Sequence, residues 1–186
     1  VSDGNDNVTS ITYPSARYVT YAYNSNNQVT SITGFGGSVS SVSYNTAGLP
    51  TAYTFSNGII NNITYNNRNF TTRITAGTAL DVGYGYDSRG NTQPITNYLD
   101  TTKNQSFTYD SLSRLTGFNG AWGTGSYSYD SIGNRQSKTV AGVTTNYSYS
   151  SNRVSSTSGG ESLTFSYNGY GSLTGTSCSG GNTLTY

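Results

Sequence analysis

Histidine and methionine are absent from this chain, cysteine occurs once, proline three times, and only 9% of its 186 residues are charged. Without histidine there is no Ser-His-Asp or Cys-His nucleophile and no histidine-bearing zinc site. The lone Cys178 excludes an intrachain disulfide and reads as a small packed residue. Nine Lys and Arg residues are scattered singly from Arg17 to Arg153 and the net charge is +1, so the basic footprint of a nucleic-acid binder is missing. No apolar run approaches the roughly 20 residues that span a bilayer, and no basic-then-apolar leader opens the sequence. A chain that starts at Val1 and lacks methionine reads as a processed product or an excerpt of a longer polypeptide.

Eight acids remain: Asp3, Asp6, Asp81, Asp87, Asp100, Asp110, Asp130 and Glu161. Two of them could in principle form a glycosidase pair. Yet Asp87, Asp110 and Asp130 each follow a tyrosine in the same local context, where a turn accounts for them without catalysis. The stretch Asp3-Gly4-Asn5-Asp6-Asn7 resembles a calcium loop only faintly. Its sixth and twelfth positions are Val8 and Pro14 instead of Gly and Glu, so a turn is the better reading. No Gly-x-x-x-x-Gly-Lys-Ser/Thr run is present to cradle phosphate. No catalytic, cofactor-binding or metal-ligating residue is assigned, and the chain is read as a non-enzyme.

What the chain has in abundance is ring surface: 18 Tyr and 6 Phe. Low charge with much Ser, Thr, Asn and Gly would otherwise suggest disorder, but so many rings bury too much area for that. The rings recur. Tyr21-Ala22-Tyr23, Phe107-Thr108-Tyr109, Tyr127-Ser128-Tyr129 and Phe165-Ser166-Tyr167 share a pattern whose last member also falls at Tyr44, Tyr65, Tyr86, Tyr149 and Tyr186. The nine anchors are spaced 21, 21, 21, 23, 20, 20, 18 and 19 residues apart. Alternation places both rings of a pair on one face of a strand. Asp or Asn usually follows, with Gly48, Gly90, Gly133 and Gly171 four residues past their anchors, which is turn chemistry. An apolar or basic residue with Thr or Ser beside it, such as Leu115-Thr116 or Val154-Ser155, then opens the next extended run. Each repeat of about 20 residues thus reads as one hairpin. No window has helical periodicity, so almost no helix is expected. Stacked hairpins would share ladder bonds and align their rings as core or ladder on one face.

Tyr86-Asp87-Ser88-Arg89-Gly90-Asn91, Tyr109-Asp110 through Arg114-Leu115-Thr116, and Tyr129-Asp130-Ser131-Ile132-Gly133-Asn134-Arg135 resemble the YD repeats of Rhs-type proteins. The resemblance is sharp over residues 84–136 and looser elsewhere, where Asn24, Asn45, Asn66 and Asn168 replace the aspartate. It implies a long β-sheet that spirals into a hollow shell, as in wall-associated proteins, insecticidal toxin complexes, polymorphic toxins and teneurins. Toxin-carrying relatives often end in a self-cleaving Asp-Pro step. The three prolines here follow Tyr13, Leu49 and Gln93, so no such step occurs.

The expected architecture is therefore all-β: tandem hairpin repeats over residues 1–186 forming one continuous spiralling antiparallel sheet, as a YD shell or a β-solenoid-like fibre. The expected function is a secreted or cell-surface structural scaffold in a shell, stalk or fibre. Its partners would be flanking repeats of the same chain, or further copies polymerised through an open sheet edge beside Tyr186. Two alternatives are the container of an enclosed toxin domain and an adhesin for surface glycans. For the adhesin, Trp122 in its Gly-flanked loop is the candidate contact. Asn-x-Ser/Thr triplets begin at Asn7, Asn62, Asn69, Asn104 and Asn146 and matter only in a host that glycosylates exported proteins.

Overall fold

The computed structural model describes every residue except 35–36, 179–182 and 186. The chain divides into two compact units: Val1–Gly85 with Ile95–Thr101, and Tyr86–Pro94 with Thr102–Tyr186. Among the described residues all regular structure is strand, apart from a single 3-10 turn at Thr101–Lys103. The tandem antiparallel hairpins expected from the repeat are what the chain forms.

In the first unit, β1 (Ser10–Thr12), β2 (Tyr18–Tyr23), β3 (Val29–Gly34), β4 (Val39–Tyr44), β5 (Pro50–Phe55), β6 (Ile60–Tyr65), β7 (Thr71–Ala76) and β8 (Leu80–Tyr86) each pair antiparallel with the next. The division between units falls within β8 and β9 (Thr92–Asn97). In the second unit the same meander runs through β10 (Gln105–Tyr109), β11 (Leu115–Gly120), β12 (Gly123–Tyr129), β13 (Arg135–Val140) and β14 (Val143–Ser150). It continues through β15 (Arg153–Gly159), β16 (Leu163–Tyr167), β17 (Leu173–Cys178) and β18 (Thr183–Thr185).

Period-two alternation sorts the side chains onto two faces. One carries rings and aliphatics: Tyr21 pairs with Ile32, Val42 with Tyr53, Ile63 with Ile74, and Phe107 with Phe118. The other is lined by hydroxyls, which bond across strands at Thr20–Thr33, Thr64–Thr72 (2.9 Å), Thr108–Thr116 (3.1 Å), Ser128–Ser137 (2.6 Å) and Thr139–Thr144 (2.9 Å). Such pairs let a polar face specify register without charge.

The idea of rings packed into a core needs correction. Among the described residues no apolar side chain is fully buried; the described anchor tyrosines are half-buried, while Tyr18 and Tyr170 are exposed. Among the described residues the only buried side chains are Thr145 and Thr157, and the Thr157 hydroxyl accepts the Leu163 amide at 3.0 Å. Stability therefore rests on ladder hydrogen bonds and same-face contacts, with no central core to add to them.

Candidate functional site

The described tyrosine-anchored hairpins whose anchor is followed by Asp or Asn close with the same turn; the Tyr149 hairpin, where Ser150 follows, is the exception. The Asx residue after the anchor accepts two backbone amides on Oδ1, from the residues two and four ahead. Asp110 takes Leu112 and Arg114 (2.9 and 3.0 Å); Asp130 takes Ile132 and Asn134 (3.0 and 2.8 Å); Asn45 takes Ala47 and Leu49 (3.0 and 2.9 Å). Asn can do this as well as Asp because the accepting atom is an oxygen in both. The residue three past the Asx has positive φ and is often not glycine: Asn27 (58°), Asn69 (62°) and Ser113 (61°) share this slot with Gly48 (79°) and Gly133 (96°).

Beside the turn, every one of seven hairpins carries a register shift immediately before its anchor, at Tyr23, Tyr44, Tyr65, Tyr109, Tyr129, Tyr149 and Tyr167. The extra residue is the Thr or Ser slot of the repeat: Thr30, Thr51, Thr72, Thr116, Ser155 and Thr174, with Gln136 in the one variant. A bulge disrupts the ladder locally and re-aims backbone groups. Here the carbonyl just before the bulge receives a hydroxyl from the next repeat. Tyr44 donates to Val29 O (2.7 Å), Tyr65 to Pro50 O (2.8 Å), Tyr129 to Leu115 O (2.9 Å), Tyr149 to Arg135 O (2.9 Å) and Tyr167 to Val154 O (3.0 Å). Tyr23 reaches Val8 O and Tyr109 reaches Thr92 O, both at 2.8 Å. Val29, Pro50, Leu115, Arg135 and Val154 are each also the register partner of their own hairpin's anchor, so one backbone position ties two repeats. Burial pushes the Tyr44, Tyr65, Tyr109 and Tyr149 phenols above their ordinary pKa, with Tyr53 adding to the effect at Tyr44 and Tyr65.

Tyr86 lies half-buried at the end of β8, and Tyr186 falls outside the described residues. The Asp3 stretch, noticed for its faint calcium pattern, is another copy of the turn without a tyrosine. Asp3 Oδ1 accepts the Asn5 and Asn7 amides and Oδ2 accepts Asn7 Nδ2, at 2.9–3.0 Å. The signal was available in the Asp-to-Asn spacing of four, which Asp130 and Asn134 share. Ser150 departs the other way: it sits inside β14, and a two-residue loop with Ser151 (φ 49°) and Asn152 (φ 63°) replaces the longer turn.

Turns stack on turns. Asn7 Nδ2 bonds Asn27 (2.9 Å), Gln28 Nε2 bonds Gly48 O (3.2 Å), Asn91 Nδ2 bonds Ser113 (3.1 Å) and Arg114 Nη1 bonds Asp130 O (2.9 Å). Arg114 also pairs with Asp110 through Nε at 2.6 Å and lies 4.7 Å over the Tyr129 ring. Hydrogen bonds from these amides and side chains hold Asp87, Asp110 and Asp130 below the usual carboxylate range; for Asp130 they outweigh an opposing desolvation. No cluster of three or more acids, cysteines or histidines suited to a metal exists among the described residues. Trp122 is 57% exposed, in the β11–β12 loop, with its ring lying against Gly120. Cys178 is a free, exposed thiol, where packing was expected.

The fold has counterparts. Residues 3–39 match the family model described as RHS Repeat. No curated protein matches the sequence. A chain of the Photorhabdus luminescens Tc holotoxin pore shares the fold over 97% of this chain and 12% of its own, with 19% identity and a TM-score of 0.66. A chain in the crystal structure of TcdB2-TccC3-TEV aligns over 96% of this chain and 12% of its own (17% identity, TM-score 0.65). A third, in TcdB2-TccC3, covers 98% and 15% (15% identity, TM-score 0.53). The present chain thus spans about an eighth of the length of the first two. The repeat match thus lies at the start of the chain, and the tyrosine–Asx hairpin recurs beyond it as far as Tyr167.

Proposed function

We propose that this chain is a non-catalytic structural scaffold: a single array over residues 1–186 that forms a segment of a secreted or cell-surface shell, stalk or fibre. The observation that carries this reading is the inter-repeat tie, in which Tyr23, Tyr44, Tyr65, Tyr109, Tyr129, Tyr149 and Tyr167 each bond a carbonyl of the preceding repeat. Tyr86 and Tyr186 complete the proposed anchor set. Polar chemistry is spent on holding backbone to backbone, which suits a wall and leaves little for a reaction. Electron microscopy of the intact gene product tests the idea. A shell or filament containing this segment supports it; an isolated small domain flanked by unrelated folds overturns it.

A second reading, the container of a toxin delivery protein, draws support from the toxin assemblies that share the fold. It requires a protease-protected polypeptide inside the intact particle, and its absence from limited digestion removes this reading while leaving the first. The glycan-adhesin reading rests on exposed Trp122, and Trp122→Ala should then weaken binding on a glycan array.

A further inference from the structure

We propose that the second unit carries a small binding site for an acidic saccharide, centred on Arg153. A surface pocket of about 290 Å³ is lined by Ser150, Ser151, Arg153, Ser155, Phe165 and Tyr167. That is the size of a small ligand site and suits one or two sugar rings.

The site exists because one repeat departs from the others. In the Tyr109 hairpin, Asp110 follows the anchor and pairs with Arg114 at 2.6 Å, and Arg114 spends Nη1 on a carbonyl. In the Tyr149 hairpin the residue after the anchor is Ser150, and the shorter loop brings Arg153 to the corresponding place without a carboxylate. Arg89 is likewise committed to Asp110 O and Ser111 O, and Arg73 to Asp81. Arg153 has no hydrogen-bond partner among the described residues; its contact is the Tyr167 ring, 5.8 Å away. Gly171 makes room for it, since a Cβ there would lie 2.5 Å from Nη2.

The surrounding chemistry names the ligand class. A guanidinium with free N–H donors takes a carboxylate in a two-point fork. Phe165 and Tyr167 offer apolar ring surface for the C–H face of a pyranose, and three serine hydroxyls both donate and accept. A uronic-acid unit presents all three complements. This site lies in a different loop from Trp122 and does not depend on the scaffold reading.

The test is titration of the full chain with trigalacturonate and with its carboxyl-reduced neutral analogue, followed by calorimetry at low salt. Saturable binding of the acid, about tenfold or more tighter than the neutral form, is expected. Arg153→Gln should lose it. Ser150→Asp, which restores the carboxylate found in other repeats, should satisfy Arg153 internally and also lose it, with unfolding unchanged in both variants. Equal affinity for the neutral analogue, unaltered binding in either variant, or inorganic phosphate binding as tightly as the trisaccharide would each overturn the assignment.

Discussion

The two units use one hairpin and dress it differently. In the first, the Asx slot is Asn24, Asn45 and Asn66, and the residue four further on is Gln28, Leu49 and Phe70. In the second, Asp87, Asp110 and Asp130 meet Asn91, Arg114 and Asn134. The ring faces differ in composition: Ile32, Val42, Ile63 and Ile74 sit beside the anchors of the first unit, whereas in the second Arg114 and Arg135 stack on Tyr129 and Tyr147 (4.7 and 4.3 Å), as Arg68 and Arg73 do on Phe70 and Tyr98 in the first. The backbone device is insensitive to this exchange because the Asx turn needs only an oxygen and the bulge needs only a carbonyl. The units should therefore share a fold and differ in what unravels them.

The largest effect should come from an anchor. Tyr129→Ala removes ring area, the hydroxyl tie to Leu115 O and the surface on which Arg114 stacks, and should cost about 3 kcal/mol. Tyr44→Ala, with no cation over its ring among the described residues, should cost about 2 kcal/mol. Phenylalanine at either site should cost only about 1 kcal/mol, the worth of the tie alone. Because repeat arrays unfold by segments, peptide-resolved hydrogen exchange is the measurement. Equal losses in both units would break the comparison.

Next come two glycines under rings. A Cβ on Gly125 would lie 2.5 Å from both Phe118 Cζ and the Thr139 carbonyl, so Gly125→Ala should destabilise the second unit by about 2 kcal/mol. On Gly83 it would meet only Tyr98, 2.9 Å from Cε2, and that ring is half-exposed and can swing away. Gly83→Ala should cost well under half as much. Phe118→Leu should partly rescue Gly125→Ala, as thermal melts of the double variant would show.

How much of this the residues announce in advance depends on the element. Tyr21-Ala22-Tyr23 and its relatives declare the strand, its facing and its period, because alternation leaves a signature at fixed spacing. The Asx turns are legible for the same reason. The bulge is not: Thr30 or Thr116 is a sound strand residue whether paired or extra, and only the register reveals the difference. The tie from Tyr44 to Val29 O is equally hidden, since a hydroxyl bonding a backbone carbonyl constrains the identity of one partner alone. How completely the rings are covered is hidden as well. Composition counts rings, but whether a further layer covers them is set by topology.

Acid should next separate the hairpins capped by Asp87, Asp110 and Asp130 from those capped by asparagine. Asp87, Asp110 and Asp130 have depressed pKa values in the folded state, held chiefly by Asn91 for Asp87 and by the Arg114 amide for Asp110. A depressed carboxylate contributes stability above its unfolded pKa of about 3.9, and that contribution is lost as pH falls through the lower folded value. Exchange protection of β10–β13 should therefore drop in strong acid, while the hairpins capped by Asn24, Asn45 and Asn66 keep theirs. Replacing the three aspartates with asparagine should erase the difference; persistence of the acid sensitivity would locate it elsewhere.

The smallest effect concerns the first unit's own ion pair. Arg73 grips Asp81 through Nε at 2.7 Å and Nη2 at 2.6 Å and lies 4.4 Å over the Tyr98 ring, yet its side chain is 46% exposed. Water and salt screen such a pair, and its geometry costs side-chain entropy. Arg114 is more enclosed and holds a carboxylate, a carbonyl of the next turn and a ring at once. Arg73→Gln should therefore leave exchange across β7–β8 nearly unchanged in high salt, whereas Arg114→Gln should loosen β11–β13 at any salt concentration. If both respond alike to salt, Arg114 is only another surface pair, and the charged dressing of the second unit contributes nothing that the neutral one lacks.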